Sequence, residues 1–332
     1  MKNIVALSAL VIATAVSQSF GRFTYSVLYI EIRDDFELSN TAAGGIGSLN
    51  LVGYLIGSLL VAFTVGNFGL IKTAKYGLAG VVIGLLLLSW SPNSFITLLA
   101  LFLTGLSAAG VWITTPALAT NLLGPDRKGL AIGWVTTGVG LGFFAACVFD
   151  AVITDWRSVY GLETIIGFAA LGMLVLTITT SANPASGSGL SPTALKQIPG
   201  WLNLCVTYGF FAVGVSLAMT FSAALLEEDA GFKEGSASLT FALIGLGLAL
   251  GGPIMGWLSD RIGMNSAQLV SLTCLTVSCA LIATGHPVAA PVSTLLFGMA
   301  FTGVVVNITA KVSSHLSAEA FGAAYAVLTI VF

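Results

Sequence analysis

Ten uninterrupted apolar runs, each long enough to cross a hydrocarbon core of about 30 Å as a helix, leave this chain very few possible folds. They fall at 4–30, 41–65, 72–91, 94–123, 129–152, 159–180, 199–226, 236–258, 266–284 and 290–310. An eleventh begins near Phe321 and is cut short at Phe332, so the chain is expected to stop inside a helix. A membrane β-barrel would instead alternate apolar and polar residues in segments of about ten. A soluble fold is excluded by composition. Charged residues are 8% and hydrophobic residues 56% of the 332, where soluble domains carry roughly 25% charge. One globule of this size cannot enclose that much apolar surface. The predicted fold class is all-α integral membrane, with about ten complete transmembrane helices, part of an eleventh, and the lipid bilayer as the first partner.

Met1-Lys2-Asn3 followed by apolar residues 4–16 resembles the start of a secretory signal. No small-x-small cleavage site precedes Gly21, and the helical pattern runs on to Ile30. An uncleaved first transmembrane helix is therefore expected. Between the sixth and seventh runs the chain reads Asn183-Pro184-Ala185-Ser186-Gly187-Ser188-Gly189, the composition of a flexible connector. The expected organisation is an N-terminal six-helix bundle at 1–180, a linker at 181–199 and an incomplete C-terminal bundle at 200–332.

Orientation follows from where Lys and Arg gather. With the N-terminus inside, the cytoplasmic loops hold Lys2, Lys72, Lys75, Arg127, Lys128, Lys196, Arg261 and Lys311. The outer loops hold Arg33, Arg157 and Lys233, together with most of the acidic residues. A multi-pass protein of a bacterial inner (plasma) membrane, with N-terminus and linker cytoplasmic, fits this asymmetry.

Arg22 is the one basic side chain well inside an apolar run. A cation at mid-bilayer costs on the order of 3 kcal/mol by insertion scales, so it is expected to face a water-filled cavity or a partner. Gln18, Arg22, Tyr25 and Tyr29 step by four, three and four, which sets them on one face of an α-helix. That face suits a solute-binding lining with Arg22 as the anion-orienting group; a structural arginine bonded to helix ends or a neighbouring acid is the alternative. Asn50 and Tyr54 repeat the pattern on the second run, where cavity lining and interhelical hydrogen bonding both fit. Trp112, Tyr208 and Asn307 are the further candidates to face the same cavity. Gly53 and Gly57 form a small-xxx-small pair suited to close helix packing. Glu163 and Asp150 are the candidate proton sites, each expected near a membrane interface and open to solvation.

Other chemistries lack their residues. No basic patch interleaved with aromatics supports nucleic-acid binding. No metal-ligand spacing, G-x-S-x-G elbow or phosphate-cradling loop supports an enzyme, a metal site or a cofactor. The cysteines 147, 205, 274 and 279 all lie in apolar runs and read as small buried hydrophobes.

One loop is more specific. Gly256-Trp257-Leu258-Ser259-Asp260-Arg261-Ile262-Gly263 resembles the G-x-L-a-D-r-x-G signature of the major facilitator superfamily, with Met264 where a basic residue usually follows. Its first-half counterpart, Gly66-Asn67-Phe68-Gly69-Leu70-Ile71-Lys72, keeps the glycines but lacks the Asp and Arg. Gly21-Arg22-Phe23-Thr24-Tyr25, Gly44, Gly47-Ser48-Leu49-Asn50 and Gly53-Tyr54 look most like the YbfB/YjiJ-type branch of that superfamily. The resemblance implies two bundles rocking about a midplane substrate site, with Gly256, Asp260, Arg261 and Gly263 forming a gating loop. It implies a secondary active transporter of a small organic solute, with protons as a candidate coupling partner. A non-transporting sensor or assembly protein of the same fold is the alternative.

Overall fold

The computed structural model of the protein describes residues 2–179, 192–224, 234–316 and 318–331, and those residues are helical almost throughout. Of the expected linker, only its end falls within them, as the short helix α8 (Pro192–Lys196). The outer acidic residues Glu227, Glu228 and Asp229 lie outside the described residues.

The first run is not one helix. α1 (Lys2–Thr14) passes into a π-helical segment (Ala15–Phe23), then into α2 (Thr24–Val27) and α3 (Tyr29–Asp35). The second and third runs form α4 (Asn40–Ser89), interrupted only at Gly69, whose φ of 77° most side chains avoid. Gly263, at φ 84°, makes the matching turn between α10 (Glu234–Ile262) and α11 (Met264–Ile282). The positive-φ glycine is thus what the two counterpart loops share. Between these stand α5 (Ser94–Leu123), α6 (Lys128–Val152), α7 (Trp156–Thr177) and α9 (Trp201–Ala224), and α12 (Ala289–His315) and α13 (Ala318–Val331) complete the order. Nine helical segments among the described residues are long and apolar enough to cross a membrane, and α9 adds a shorter apolar stretch at Trp201–Val215.

Large apolar side chains such as Leu51, Leu86, Phe168, Leu176 and Phe210 point outward, as lipid-facing positions require. Where the helices approach most closely, the facing residues are glycines, which lets backbones meet without a hydrophobic drive between them. Two such approaches bear on the architecture. Gly53 and Gly57 on α4 abut the backbone of Phe102 and Leu106 on α5, the close packing expected of that pair. Gly133 on α6 and Gly252 on α10 face each other, so a Cβ on either would meet the other's carbonyl oxygen. The second contact joins the two halves of the sequence along α6 and α10, and α4 meets α13 as a second such pairing.

Candidate functional site

Arg22 lies in the last turn of the π-helical segment, partly buried. Its Nη1 donates to Gln18 Oε1 at 2.9 Å, and Gln18 Nε2 donates to the Ala108 carbonyl on α5 at 3.2 Å. The guanidinium lies over the Tyr54 ring, Cζ 3.8 Å from the centroid, with Phe23 at 5.5 Å. Tyr208, from α9, also lies within electrostatic reach. The ion pairs among the described residues are Arg33–Asp34 and Arg157–Asp35, so Arg22 has no carboxylate partner there. Its Nε is buried and unbonded.

Asn50 sets the position of this turn. Its Nδ2 reaches the carbonyls of Gly21 and Leu101, each at 2.9 Å, and Thr104 Oγ1 at 3.0 Å. Of the two roles open to it, interhelical bonding is the one its amide performs, one residue from Arg22. Tyr25 and Tyr29 are engaged differently from Arg22's neighbours. Tyr25 Oη donates to the Ala43 carbonyl at 2.7 Å and Tyr29 Oη to that of Asn40 at 3.0 Å, tying the first run to the start of α4. The α-helical stripe dissolves because a π turn holds an extra residue, so spacing counted at 3.6 per turn fails beyond Arg22.

Across the site, Tyr325 on α13 exchanges a hydrogen bond with Thr309 on α12 at 2.8 Å. The Tyr208 hydroxyl and the Trp112 indole N–H on α5 also lie within hydrogen-bonding reach of the Tyr325 oxygen. Tyr208 stacks on Phe211, centroids 6.0 Å apart and planes 6° from parallel. Trp112 and Tyr208 thus join Arg22 and Tyr54 in one cluster. Asn307 does not: its Nδ2 turns away to Ser271 Oγ on α11 at 3.3 Å. Tyr325 and Thr309 were not foreseen; the only sequence signal was the pair Phe321 and Tyr325 one turn apart, now seen stacked at 5.1 Å. Between two and three turns beyond Trp112 on α5, and about one turn from Tyr325 on α13, a cavity of about 280 Å³ is lined by Thr120, Asn121, Lys128, Ser313 and Phe321 among others.

The loop residues are placed as follows. Asp260 caps the start of α6, Oδ1 accepting from Gly129 N at 2.9 Å and Oδ2 from Leu130 N at 3.0 Å. Gly256 packs against the Gly129 carbonyl, and Arg261 lies over the Trp257 ring at 4.6 Å. A carboxylate at a helix N-terminus is favoured by the exposed N–H groups and the helix dipole.

Of the two acids, Glu163 departs from its expected setting. Glu163 is not solvated; it is fully buried, on a helix that packs against α4, α1 and the π-helical segment and reaches α2 through Thr24. Thr24 Oγ1 donates to its Oε1 at 2.7 Å, and its Oε2 has no partner. Asp150 is half-buried at the end of α6 and meets Glu31. Burial, and then the neighbouring Asp150, push the Glu31 carboxyl up from its ordinary range.

Comparisons with known proteins agree with this architecture. A profile described as the Major Facilitator Superfamily matches residues 11–332. A gentisate transporter from Corynebacterium glutamicum is 23% identical over 327 residues, covering 92% of this chain and 72% of that protein. Monocarboxylate transporter 9 from Pongo abelii is 28% identical over 148 residues, 45% of this chain and 29% of that one. The chain thus spans under a third of the latter's length. Among solved structures, the superfamily transporter FucP in its outward conformation superposes with a TM-score of 0.73 at 15% identity, covering 100% of this chain and 90% of that one.

Proposed function

The chain belongs to the major facilitator superfamily, and on that premise we propose that it is a secondary active transporter of a small organic anion. The observation that carries the reading is Arg22: a guanidinium inside the bundle, with no carboxylate partner among the described residues and an unbonded Nε. A cation held this way is an incomplete ion pair, and a carboxylate-bearing solute completes it. Gln18, Tyr54, Trp112, Tyr208 and Tyr325 form the first surroundings of that solute. Tyr25 and Tyr29 are assigned to holding the first helix on the second, and Asn50 to fixing the turn that carries Arg22. Asn307 is assigned to packing between α11 and α12. Relatives named for gentisate and monocarboxylates support an organic acid as the solute class.

In this reading the N-terminal six helices and the C-terminal helices rock about the Arg22 cluster, joined by the cytoplasmic linker. Gly256, Asp260, Arg261 and Gly263 gate the linker side through the Asp260 cap on α6. Glu163, rather than Asp150, is the proton site, since it is sealed from water and shares no proton with a second acid. The location is a bacterial inner membrane with the N-terminus inside, and the branch is the YbfB/YjiJ type.

A thermal-shift screen of the purified full chain against gentisate, benzoate, lactate and uncharged analogues tests the solute class. At a hundredfold excess over Kd a ligand adds about 2.7 kcal/mol of apparent stability. Stabilisation by acids alone, lost in Arg22→Gln, supports the reading. Equal stabilisation of Arg22→Gln contradicts it.

A further inference from the structure

Thr24 stands between the two groups that transport would have to link. Its hydroxyl has one proton and two acceptors in view: Glu163 Oε1 at 2.7 Å and the Ser19 carbonyl at 3.4 Å. The shorter bond holds it on Glu163. The same Ser19 carbonyl already accepts the Thr24 backbone N–H, the i to i−5 bond that closes the π-helical segment. Ser19 Oγ in turn donates to the Val139 carbonyl on α6 at 2.6 Å. Thr24 is therefore bonded through its side chain to α7 and through its backbone to the π turn in which Arg22, two residues earlier, is held over Tyr54.

A π turn differs from an α turn by one residue of register. Its relaxation to α would rotate the side chains on one side of it by about 100° relative to the other. Such a rotation would shift Arg22 off the Tyr54 ring on α4, while Gln18, four residues earlier, stays its neighbour. Glu163 has the properties of the group that decides between these states. It is fully buried, one oxygen is unbonded, and Thr24 is the one side chain bonded to the other. Its titratable neighbours are Tyr160 on its own helix and, beyond that, Tyr25 on α2. Among the charged groups on α7 and the elements packed around it, Arg22 bonds Gln18 and Lys128 the Ser313 carbonyl, and Lys72 lies a turn beyond Lys75, farther from Glu163. Arg157 bonds Asp35 and the Ser91 carbonyl, Lys75 the Val175 carbonyl, and Asp150 meets Glu31.

We propose that the Thr24–Glu163 hydrogen bond couples proton occupancy of Glu163 to the π register that aims Arg22. Thr24 is then a positioning residue: it touches neither solute nor lipid, and it acts by setting Arg22. The link itself rests on geometry; its use in proton-coupled transport rests on the function proposed above.

The test is hydrogen exchange of the segment 15–24 in the full chain against pH, corrected for the intrinsic pH dependence of amide exchange. Wild type and Thr24→Ser should show a step in protection with pH, while Thr24→Val and Glu163→Gln should be flat. If Thr24→Val does not fold, Thr24→Cys, similar in size and a weak donor, is read in its place. A wild-type step in Thr24→Val, or no step in wild type, overturns the link. Proteoliposome flux of gentisate, benzoate and lactate is measured in parallel. A step without flux of any of them leaves the link standing and removes the transport reading; flux without a step does the reverse.

Discussion

The guanidinium of Arg22 and the ring of Tyr54 are stacked at 3.8 Å, and they come from the first and second apolar runs of the chain. The contact places a cation on an aromatic face rather than on a carboxylate. An aromatic face offers only a fraction of the Coulomb attraction of an acid, so the charge stays available to a solute. A desolvated contact of this kind contributes about 2 kcal/mol.

Removing the ring should therefore weaken the site without emptying it. Tyr54→Leu is expected to lower affinity for an organic acid by roughly 5- to 30-fold, the equivalent of 1–2 kcal/mol. Tyr54→Phe keeps the face and should change affinity by less than a factor of about 5. Titration of wild type and both variants with the best acid from the thermal-shift screen checks this.

Asn50 acts on the same group through the backbone. Asn50→Leu removes the amide that joins Gly21 to Leu101 and Thr104. Interhelical bonds in membranes average about 0.6 kcal/mol and reach about 1.7. A loss of about 1–3 kcal/mol in stability is expected, together with weaker acid binding, because Arg22 loses its fixed turn. Unchanged binding in a destabilised Asn50→Leu protein would show that the clamp and the site are independent.

Close approach of α6 and α10 should not tolerate a side chain. Gly252→Val drives a branched Cβ into the Gly133 carbonyl, and overpacking of this kind typically costs about 1–3 kcal/mol. Thermal unfolding should drop accordingly, and a cysteine placed at Thr120 in the cavity beside Phe321 should label faster as the helices part.

Asp260→Asn tests the cap on α6. The neutral amide offers one acceptor oxygen to two backbone N–H donors and gives up the charge–dipole attraction, a loss of about 1 kcal/mol. Faster labelling of a cysteine at Thr120 is expected with binding at Arg22 preserved.

The pH dependence of folding has a definite sign at Asp155. Hydrogen bonds from Ser158, the largest cause, and then from the backbone at Ser158 and Arg157 hold its carboxyl below the ordinary range. A depressed folded value means the stabilisation is complete above the unfolded value of about 3.9. It fades as pH falls through that value toward the folded one. Asp155→Ala should cost about 1 kcal/mol at neutral pH. The difference from wild type should shrink progressively below about pH 4.

The sequence made the helices legible because lipid demands long apolar runs, and it marked Arg22 because a cation there needs a reason. Trp112, Tyr54 and Tyr208 were legible for the same cause, as polar-tipped aromatics in apolar surroundings. The fate of Tyr25 and Tyr29 was not, since a π turn leaves no periodic signature and α-helical spacing places both beside Arg22. Glu163 was misplaced toward solvent because its depth depends on which face α7 turns inward, a tertiary choice. Tyr325 was overlooked because its partners Thr309, Tyr208 and Trp112 come from three different helices, two of them more than a hundred residues away.

The central claim is that Arg22 binds a transported organic acid. Uptake of radiolabelled gentisate and benzoate into proteoliposomes holding the full chain, wild type beside Arg22→Gln, tests it most directly. The account predicts saturable uptake in wild type and none in Arg22→Gln protein that is inserted and folded. Uptake by Arg22→Gln at the wild-type rate would contradict it.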